Sequence, residues 1–328
     1  MTKHLKKMGF SIIPLVVIVG GAELGLQASG WPTPTAAFEH NEPFWVTEAD
    51  LVNQTTAHNE VEASFDVTSN ADGLRVPLHP REKGPNEWRI MTLGCSTTFG
   101  WGVDDPHSFP AQLQEQAKNA GLTDVSVING GQPGYTSFQG RWLWEETLGH
   151  YSADVVLIGY VVQDARRAAY SDKSQAVLQQ DNRFLKNDVL YKSRVYLALR
   201  DLIGSVQIQA KERPDGGTQG VYRVPPEDYA ENLRTLVNGV KESGGVPILF
   251  GFPLEREGYT ALHRRILKAA ASELRVRYID LQDRMATASR KEVLYFEKDR
   301  GHANIEGNKK IADWIFVYLR EQELLGAE

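Results

Sequence analysis

Two short segments, far apart in this chain of 328 residues, carry the side chains of a nucleophilic hydrolase. The first is Gly94-Cys95-Ser96, and the second is Asp299-Arg300-Gly301-His302. A serine hydroxyl becomes a useful nucleophile when a base removes its proton, and a histidine oriented by a carboxylate is a common base. The residue types therefore predict Ser96 as the nucleophile, His302 as the base and Asp299 as the orienting acid.

The spacing of Asp299 and His302 supports this interpretation under one condition. If the segment forms a helical turn, positions three apart share a face and the carboxylate can reach the imidazole. The carboxylate would then fix the tautomer of His302 and stabilise its charged form. An Asp-x-x-His segment considered by itself could instead be the capped start of a helix with a solvated histidine. The presence of the serine segment favours the catalytic interpretation.

Apolar runs typical of buried strands recur from Trp88 onwards, with helix-compatible segments between them. The predicted strands are Ile90–Leu93, Val125–Ile128, Val155–Ile158, Val246–Phe250 and Tyr278–Leu281. The predicted helices are Pro110–Ala120, Glu227–Ser243, Tyr259–Leu274 and Asn304–Leu324. This alternation predicts an α/β fold of three layers, α/β/α, with a mainly parallel five-stranded sheet.

In such folds the active site lies beyond the carboxyl ends of the strands. Ser96 follows the first predicted strand, Gly134 follows the second, and Gln163 follows the third. The candidate catalytic residues therefore lie at the edge of the predicted sheet where such folds have their active sites.

The chain resembles the SGNH hydrolases, also called GDSL-type esterases, over about residues 88–324. Gly94–Gly100 resembles the Gly-Asp-Ser block of that family, and Asn129–Gly134 resembles its second, glycine-centred block. Val161–Asp164 is a degraded form of the Gly-x-Asn-Asp block, and Asp299–His302 matches the final Asp-x-x-His block. The resemblance implies a flavodoxin-like fold, a Ser96–His302–Asp299 triad and no cofactor or metal.

The resemblance also implies an oxyanion hole formed by the backbone N–H groups of Ser96 and Gly134 and by an asparagine side chain. Gln163 stands where the family has that asparagine, and its amide lies one methylene further from the backbone. A polar loop residue without this role is the alternative for Gln163. Cys95 replaces the aspartate before the nucleophile. We expect Cys95 to be a small buried group, and a catalytic cysteine is the alternative.

The composition narrows the function further. The formal net charge is -6, whereas a nucleic-acid-binding surface needs clustered basic residues. Cys95 is the sole cysteine, so an intrachain disulfide is excluded. The sequence has no CxxC, HExxH or Walker-type pattern, which argues against zinc and nucleoside triphosphate sites.

The N-terminus predicts a membrane anchor. Lys3, Lys6 and Lys7 precede an uncharged run from Met8 to Ala22, and Glu23 follows. A basic start before an apolar run is typical of a signal anchor or a signal peptide. Cleavage after Ala22, which would give a secreted protein, and an amphipathic or buried helix are the alternatives.

We therefore divide the chain into three parts. Residues 1–31 form the anchor, 32–87 a juxtamembrane extension packed on the main domain, and 88–328 the hydrolase domain, in which 165–225 is an insertion that could cap the site. The predicted enzyme hydrolyses an ester of an O-acetylated glycan or a lipid, outside the cytoplasm. An acyltransferase acting on an exported polysaccharide and a catalytically impaired binding protein are the alternatives.

Overall fold

The computed structural model of the protein describes residues 2–31, 45–58, 63–181, 193–199, 220–255 and 258–326. The contacts between residues divide the chain into two compact units. The larger unit comprises Phe44–Lys173 and Val221–Glu328, and the smaller unit comprises Met1–Pro43 and Ser174–Gly220. All the residues predicted to carry chemistry belong to the larger unit.

Five parallel strands form the central sheet of the larger unit. The described residues also form strands outside this sheet. In chain order all these strands are β1 (Gln54–His58), β2 (Ala63–Val67), β3 (Trp88–Gly94), β4 (Val125–Gly131), β5 (Val155–Ile158), β6 (Arg167–Ala168), β7 (Val221–Tyr222), β8 (Val246–Gly251) and β9 (Arg277–Asp280). The sheet has the order β4-β3-β5-β8-β9, and every pairing in it is parallel. Each predicted strand overlaps one of these five.

Helices cover both faces of this sheet. Successive residues of a strand face opposite sides, and Ile90 and Met91 of β3 accordingly belong to separate hydrophobic clusters. The cluster around Ile90 is covered by Phe109–Asn119 and Ile305–Glu321. The cluster around Met91 is covered by Ser137–Glu146, Pro226–Glu242 and Ala261–Glu273. The three-layer α/β/α fold is therefore confirmed.

The predicted helices are also present, with their ends displaced by a few residues. Further α-helices in the described part of the chain are Thr2–Ser29, Ser96–Phe99, Asp172–Asp181 and Gln282–Ala288, and residues 194–199 are also helical. Single 3₁₀ turns occur at Asp105–His107, Leu148–Tyr151 and Gly258–Thr260. The final helix begins at Ile305 because the Asn304 side chain accepts a hydrogen bond from the N–H of Gly307 and caps it.

The residues before the sheet add a hairpin to the larger unit. Strands β1 and β2 pair in antiparallel fashion. The indole of Trp45 donates to the carbonyl of Pro133 at 2.9 Å. The fully buried guanidinium of Arg75 donates to the carbonyls of Asp66, Phe99, Gly100 and Val103 and to the carboxylate of Asp105. These bonds join the extension to the loops that follow β3 and β4.

The smaller unit contains the long helix Thr2–Ser29. The carboxylate of Glu23 accepts hydrogen bonds from the N–H groups of Val195 and Arg194 and from the hydroxyl of Ser193, and these bonds lower the pKa of Glu23 to about 2. Glu23 thus caps the helical segment 194–199.

A membrane-spanning anchor at residues 1–31 is not supported. Over the part of the chain that the structure describes, no helix is long and apolar enough to cross a membrane.

The insertion predicted at 165–225 starts and finishes at a short ribbon in which β6 pairs with β7. The helix Asp172–Asp181 follows β6. Of the helix predicted around Ser193–Val206, residues 194–199 are helical, and the remainder lies outside the described residues. A capping role for this segment stays a prediction.

Candidate active site

Ser96, His302 and Asp299 converge at the carboxyl end of the sheet. The Nε2 atom of His302 lies 2.8 Å from the hydroxyl oxygen of Ser96. On the other side of the ring, Nδ1 contacts Oδ2 of Asp299 directly. The structure thus brings the three predicted residues into one hydrogen-bonded chain, although Ser96 lies two hundred residues before its partners.

The backbone after β3 sets the position of Ser96. The strand ends at Gly94, and Ser96 is the first residue of the short helix Ser96–Phe99. A Cβ atom at Gly94 would lie 2.1 Å from the hydroxyl oxygen of Thr98, so this strand-to-helix turn requires glycine. Ser96 itself is only 6 % exposed.

A turn, and not a helix, brings Asp299 to His302. Residues 299–302 have no helical hydrogen bonding. The helical turn that would have placed Asp299 and His302 on one face is therefore absent. Instead, Oδ1 of Asp299 accepts a hydrogen bond from the N–H of Gly301 at 3.1 Å. This side-chain-to-backbone bond closes an Asx-type turn and leaves Oδ2 facing the imidazole.

The surroundings of Asp299 favour its charged form. Burial raises the pKa of this carboxyl. The hydrogen bond and charge of His302, the N–H of Gly301 and the charge of His58 together outweigh burial, so the pKa of Asp299 lies below its ordinary value. A carboxylate that stays ionised can stabilise an imidazolium on His302.

His58 is a second histidine beside this carboxylate. Its Nε2 atom lies 3.0 Å from Oδ2 of Asp299 but lacks the alignment of a hydrogen bond and has no other partner within the described residues. The ring is 2 % exposed and packs edge-on against Phe296 and His302, with the tilted ring of Trp101 nearby. The extension before the sheet therefore contributes a residue to the site through β1.

The same three groups are the candidate metal ligands within the described chain. One ligand atom from each of His58, Asp299 and His302 lies within 4.8 Å of the others. A cation held by all three would have to separate Asp299 from His302, because metal–ligand distances of about 2 Å leave no room for their direct contact.

Gly134 and Gln163, two of the predicted oxyanion-hole residues, are connected through the side chain of Arg223. Gly134 has a φ of +80°, which favours glycine, and a Cβ atom there would lie 3.2 Å from the indole of Trp45. Gln163 is 9 % exposed in the turn after β5. The carbonyl of Gly134 and the side-chain oxygen of Gln163 both accept hydrogen bonds from Arg223.

Cys95 is buried among apolar side chains. Its sulfur lies 3.2 Å from the hydroxyl oxygen of Thr97, and only 1 % of the residue is exposed. His302 faces the hydroxyl of Ser96. This arrangement favours the interpretation of Cys95 as a packing residue.

Comparison with known proteins identifies the family. A family model described as "GDSL-like Lipase/Acylhydrolase family" matches residues 92–310. The match covers more than half of the protein and includes Ser96, Asp299 and His302. The chain belongs to this family. It is accordingly an ester-hydrolysing enzyme of the acylhydrolase class.

Several solved structures are similar to this acylhydrolase in fold. A lipase/acylhydrolase from Enterococcus faecalis is 15% identical with a TM-score of 0.49, over 72% of this chain and 96% of that one. An acetylxylan esterase from Geobacillus stearothermophilus is 19% identical with a TM-score of 0.47, over 75% and 98%. An α/β hydrolase from a Lake Arreo metagenome is 15% identical with a TM-score of 0.48, over 75% and 99%. The comparison with curated proteins gave no match.

The acylhydrolase also contains a buried carboxyl beside the site. Asp164 is fully buried, its Oδ1 accepts from the N–H of Ser137 at 2.8 Å, and its Oδ2 has no hydrogen-bond partner within the described residues. Burial raises the pKa of Asp164 to about 6, against the lowering effect of Ser137 and of the charge of Arg223.

Sequence reasoning missed two residues of this acylhydrolase site. His58 belongs to a threonine-containing hairpin strand, and Arg223 follows the two-residue strand β7. Neither is part of a recognisable motif, and each meets the site through contacts that join distant segments. A search for polar side chains that contact the predicted site residues would have found both, but that search requires the folded chain.

Proposed function

We propose that this acylhydrolase is a serine esterase that cleaves carboxylic esters through an acyl-Ser96 intermediate. The observation that carries the proposal is the hydrogen-bonded chain from Ser96 through His302 to Asp299. A hydroxyl that donates to an imidazole, which in turn is oriented by a carboxylate, is the arrangement that activates serine. This arrangement favours an active enzyme over a binding protein that has lost catalysis.

Acylation begins when the hydroxyl oxygen of Ser96 attacks the ester carbonyl carbon and His302 takes the hydroxyl proton at Nε2. The carbonyl oxygen becomes an oxyanion. When the tetrahedral intermediate collapses, the bond to the alcohol oxygen breaks and His302 returns the proton to that oxygen. The products of this half-reaction are the free alcohol and the acyl-Ser96 ester.

Deacylation repeats these steps with water as the nucleophile. His302 takes a proton from the water molecule as it attacks the acyl carbon, and then gives a proton to Ser96 as the acid leaves. Asp299 stabilises the imidazolium in both half-reactions. The net reaction consumes one ester and one water and produces one acid and one alcohol.

The oxyanion needs hydrogen-bond donors at the point where its charge develops. We assign this role to the backbone N–H groups of Ser96 and Gly134 and to the side-chain amide of Gln163. Two observations support the third member: Gln163 lies in the turn after β5, and its oxygen faces Arg223, which leaves its NH₂ group available to donate.

We propose an O-acetylated glycan or a lipid ester as the substrate and a location outside the cytoplasm. The location is based on the lysines that precede the uncharged run from Met8 to Ala22, a pattern typical of an export signal. The two substrate classes differ in acyl chain length. Hydrolysis of p-nitrophenyl acetate and of a long-chain p-nitrophenyl ester, compared at equal enzyme concentration, separates them. Addition of a glycan acceptor tests transfer as an alternative fate of the acyl group.

The direct test of the proposal is the Ser96→Ala variant. We expect its turnover of p-nitrophenyl acetate to fall by a factor on the order of 10⁴ or more. We also expect a fluorophosphonate probe to label the wild-type protein and not the variant. The matched control is Cys95→Ala, which removes the neighbouring buried thiol and should retain both turnover and labelling. Unchanged turnover in Ser96→Ala would eliminate the acyl-serine mechanism.

A further inference from the structure

A single guanidinium group connects two elements of the proposed oxyanion hole. The Nη1 atom of Arg223 donates to the carbonyl oxygen of Gly134 at 2.8 Å and to the side-chain oxygen of Gln163 at 3.1 Å. Gly134 lies in the loop after β4 and Gln163 lies in the loop after β5. The two residues therefore belong to loops that follow different strands. Arg223 therefore fixes the position of one loop relative to the other.

The remaining donors of Arg223 hold the guanidinium in place. Nε and Nη2 donate to the two carboxylate oxygens of Asp172 at 3.0 and 2.9 Å. Nη2 also donates to the side-chain oxygen of Gln139 at 3.0 Å. The side chain of Asp172 is 7 % exposed and that of Arg223 is 17 % exposed. A two-pronged pair of this kind fixes the plane of the guanidinium as well as its position.

This geometry determines which end of the Gln163 side chain faces the arginine. A guanidinium has donors and no acceptor, so Gln163 must present its oxygen to Arg223. Its NH₂ group is then directed away from Arg223. Glutamine has one more side-chain torsion than asparagine and needs an additional restraint to hold a donor in place. The hydrogen bond from Arg223 supplies that restraint.

We propose that Arg223 is a positioning residue for the oxyanion hole, which orients the amide of Gln163 and the loop at Gly134. The inference deepens the proposed function and depends on it. It explains how a glutamine serves where related enzymes have an asparagine. Arg223 touches neither the substrate nor Ser96 in this role and acts through the two residues that it holds.

The test must separate positioning from the loss of an ion pair. Arg223→Met alone would leave the buried carboxylate of Asp172 with the hydroxyl of Thr136 as a donor but without its charged partner, which is destabilising. The double variant Arg223→Met/Asp172→Asn removes both charges. We expect its kcat for p-nitrophenyl acetate to fall by about 10²-fold, with a much smaller change in KM, because misplaced donors affect the transition state more than substrate binding.

The controls establish that the fold is retained. Asp172→Asn alone keeps both bonds from Arg223 to the site and should lose less kcat than the double variant. Arg234→Met, on a partly exposed arginine whose ion pairs within the described residues are with Glu231 and Glu273, should leave kcat unchanged. Circular dichroism and thermal unfolding of all variants report the structural contribution.

A double-mutant cycle tests whether Arg223 affects kcat through the side chain of Gln163. In a Gln163→Ala background, removal of Arg223 and Asp172 should cost less kcat than it does in the wild type, because the amide that Arg223 orients is already absent. Equal costs in the two backgrounds, or an unchanged kcat in the folded double variant, would overturn the inference alone. Absence of Ser96-dependent turnover in the wild type would overturn the proposed function, and the inference with it.

Discussion

The Nε2 atom of His58 lies 3.0 Å from Oδ2 of Asp299, the carboxylate oxygen that also contacts His302. His58 comes from the hairpin that precedes the sheet, so the extension contributes to the site and does more than cover the domain. A buried N–H without a well-directed acceptor is costly, and Oδ2 is the acceptor within reach. Hydrogen bonds in unliganded active sites often become aligned only when the substrate is bound.

We predict that His58 assists Asp299 during turnover. His58→Phe keeps an aromatic ring beside Trp101 and Phe296 but removes the N–H group. We expect kcat for p-nitrophenyl acetate to fall by about 10-fold because Asp299 is less firmly held. His58→Gln, which restores a donor, should recover part of the loss. A folded His58→Phe protein with wild-type kcat would contradict the prediction.

Replacement of Asp299 by asparagine should leave the site nearly intact in shape and remove the negative charge. We expect kcat to fall by about 10⁴-fold, because an amide neither stabilises the imidazolium nor enforces the required tautomer of His302. Steady-state hydrolysis of p-nitrophenyl acetate measures the effect. The exposed Asp283→Asn serves as the control and should retain full turnover. A loss of less than about 10-fold would remove Asp299 from the triad.

Asp164 predicts a specific dependence of stability on pH. Its pKa is about 6 in the native state, above the ordinary value of 3.8. Between these two values the native state keeps a proton that the unfolded chain has released. The contribution of Asp164 to the free energy of unfolding therefore falls as the pH rises through this window and is level above it.

The Asp164→Asn variant has no proton to lose at this position. Relative to the wild type, its free energy of unfolding should rise by up to about 3 kcal/mol between about pH 4 and pH 7. Urea unfolding at a series of pH values measures this difference. A constant difference between the two proteins across the window would show that Asp164 titrates normally.

Arg75 links the extension to the loop behind Ser96. Its guanidinium is fully buried and donates to four backbone carbonyls and one carboxylate. We expect Arg75→Met to lower the free energy of unfolding by about 3–5 kcal/mol, because the carbonyls and Asp105 lose their partner inside the protein. Urea unfolding provides the measurement, with the exposed Arg290→Met as the control. A change below about 1 kcal/mol would contradict this role.

The order of strands and helices in the hydrolase domain follows from the sequence because hydrophobic periodicity is a local property. The runs Ile90–Leu93 and Val155–Ile158 are apolar on both faces, as strands between two helical layers must be. The motifs around Ser96 and His302 are local as well. The sequence therefore predicted the fold and proposed the triad without reference to distant contacts.

Two local patterns in the sequence had more than one structural solution. A basic start and an apolar run predicted a spanning anchor, whereas no helix in the described part of the chain has the length and apolarity of a span, and Glu23 caps the segment 194–199. The spacing of Asp299 and His302 admitted a helical turn, but the N–H of Gly301 stabilises an Asx-type turn there instead.

The sequence alone determined which side chains could perform the chemistry and which strands would carry them. Only the tertiary structure decided how those side chains are held. His58 reaches Asp299, and Arg223 reaches Gly134 and Gln163, through contacts between segments that are distant in the chain. Such contacts depend on the packing of whole elements and on the directions of individual side chains, and neither quantity is encoded in the spacing of residues along a strand or a helix.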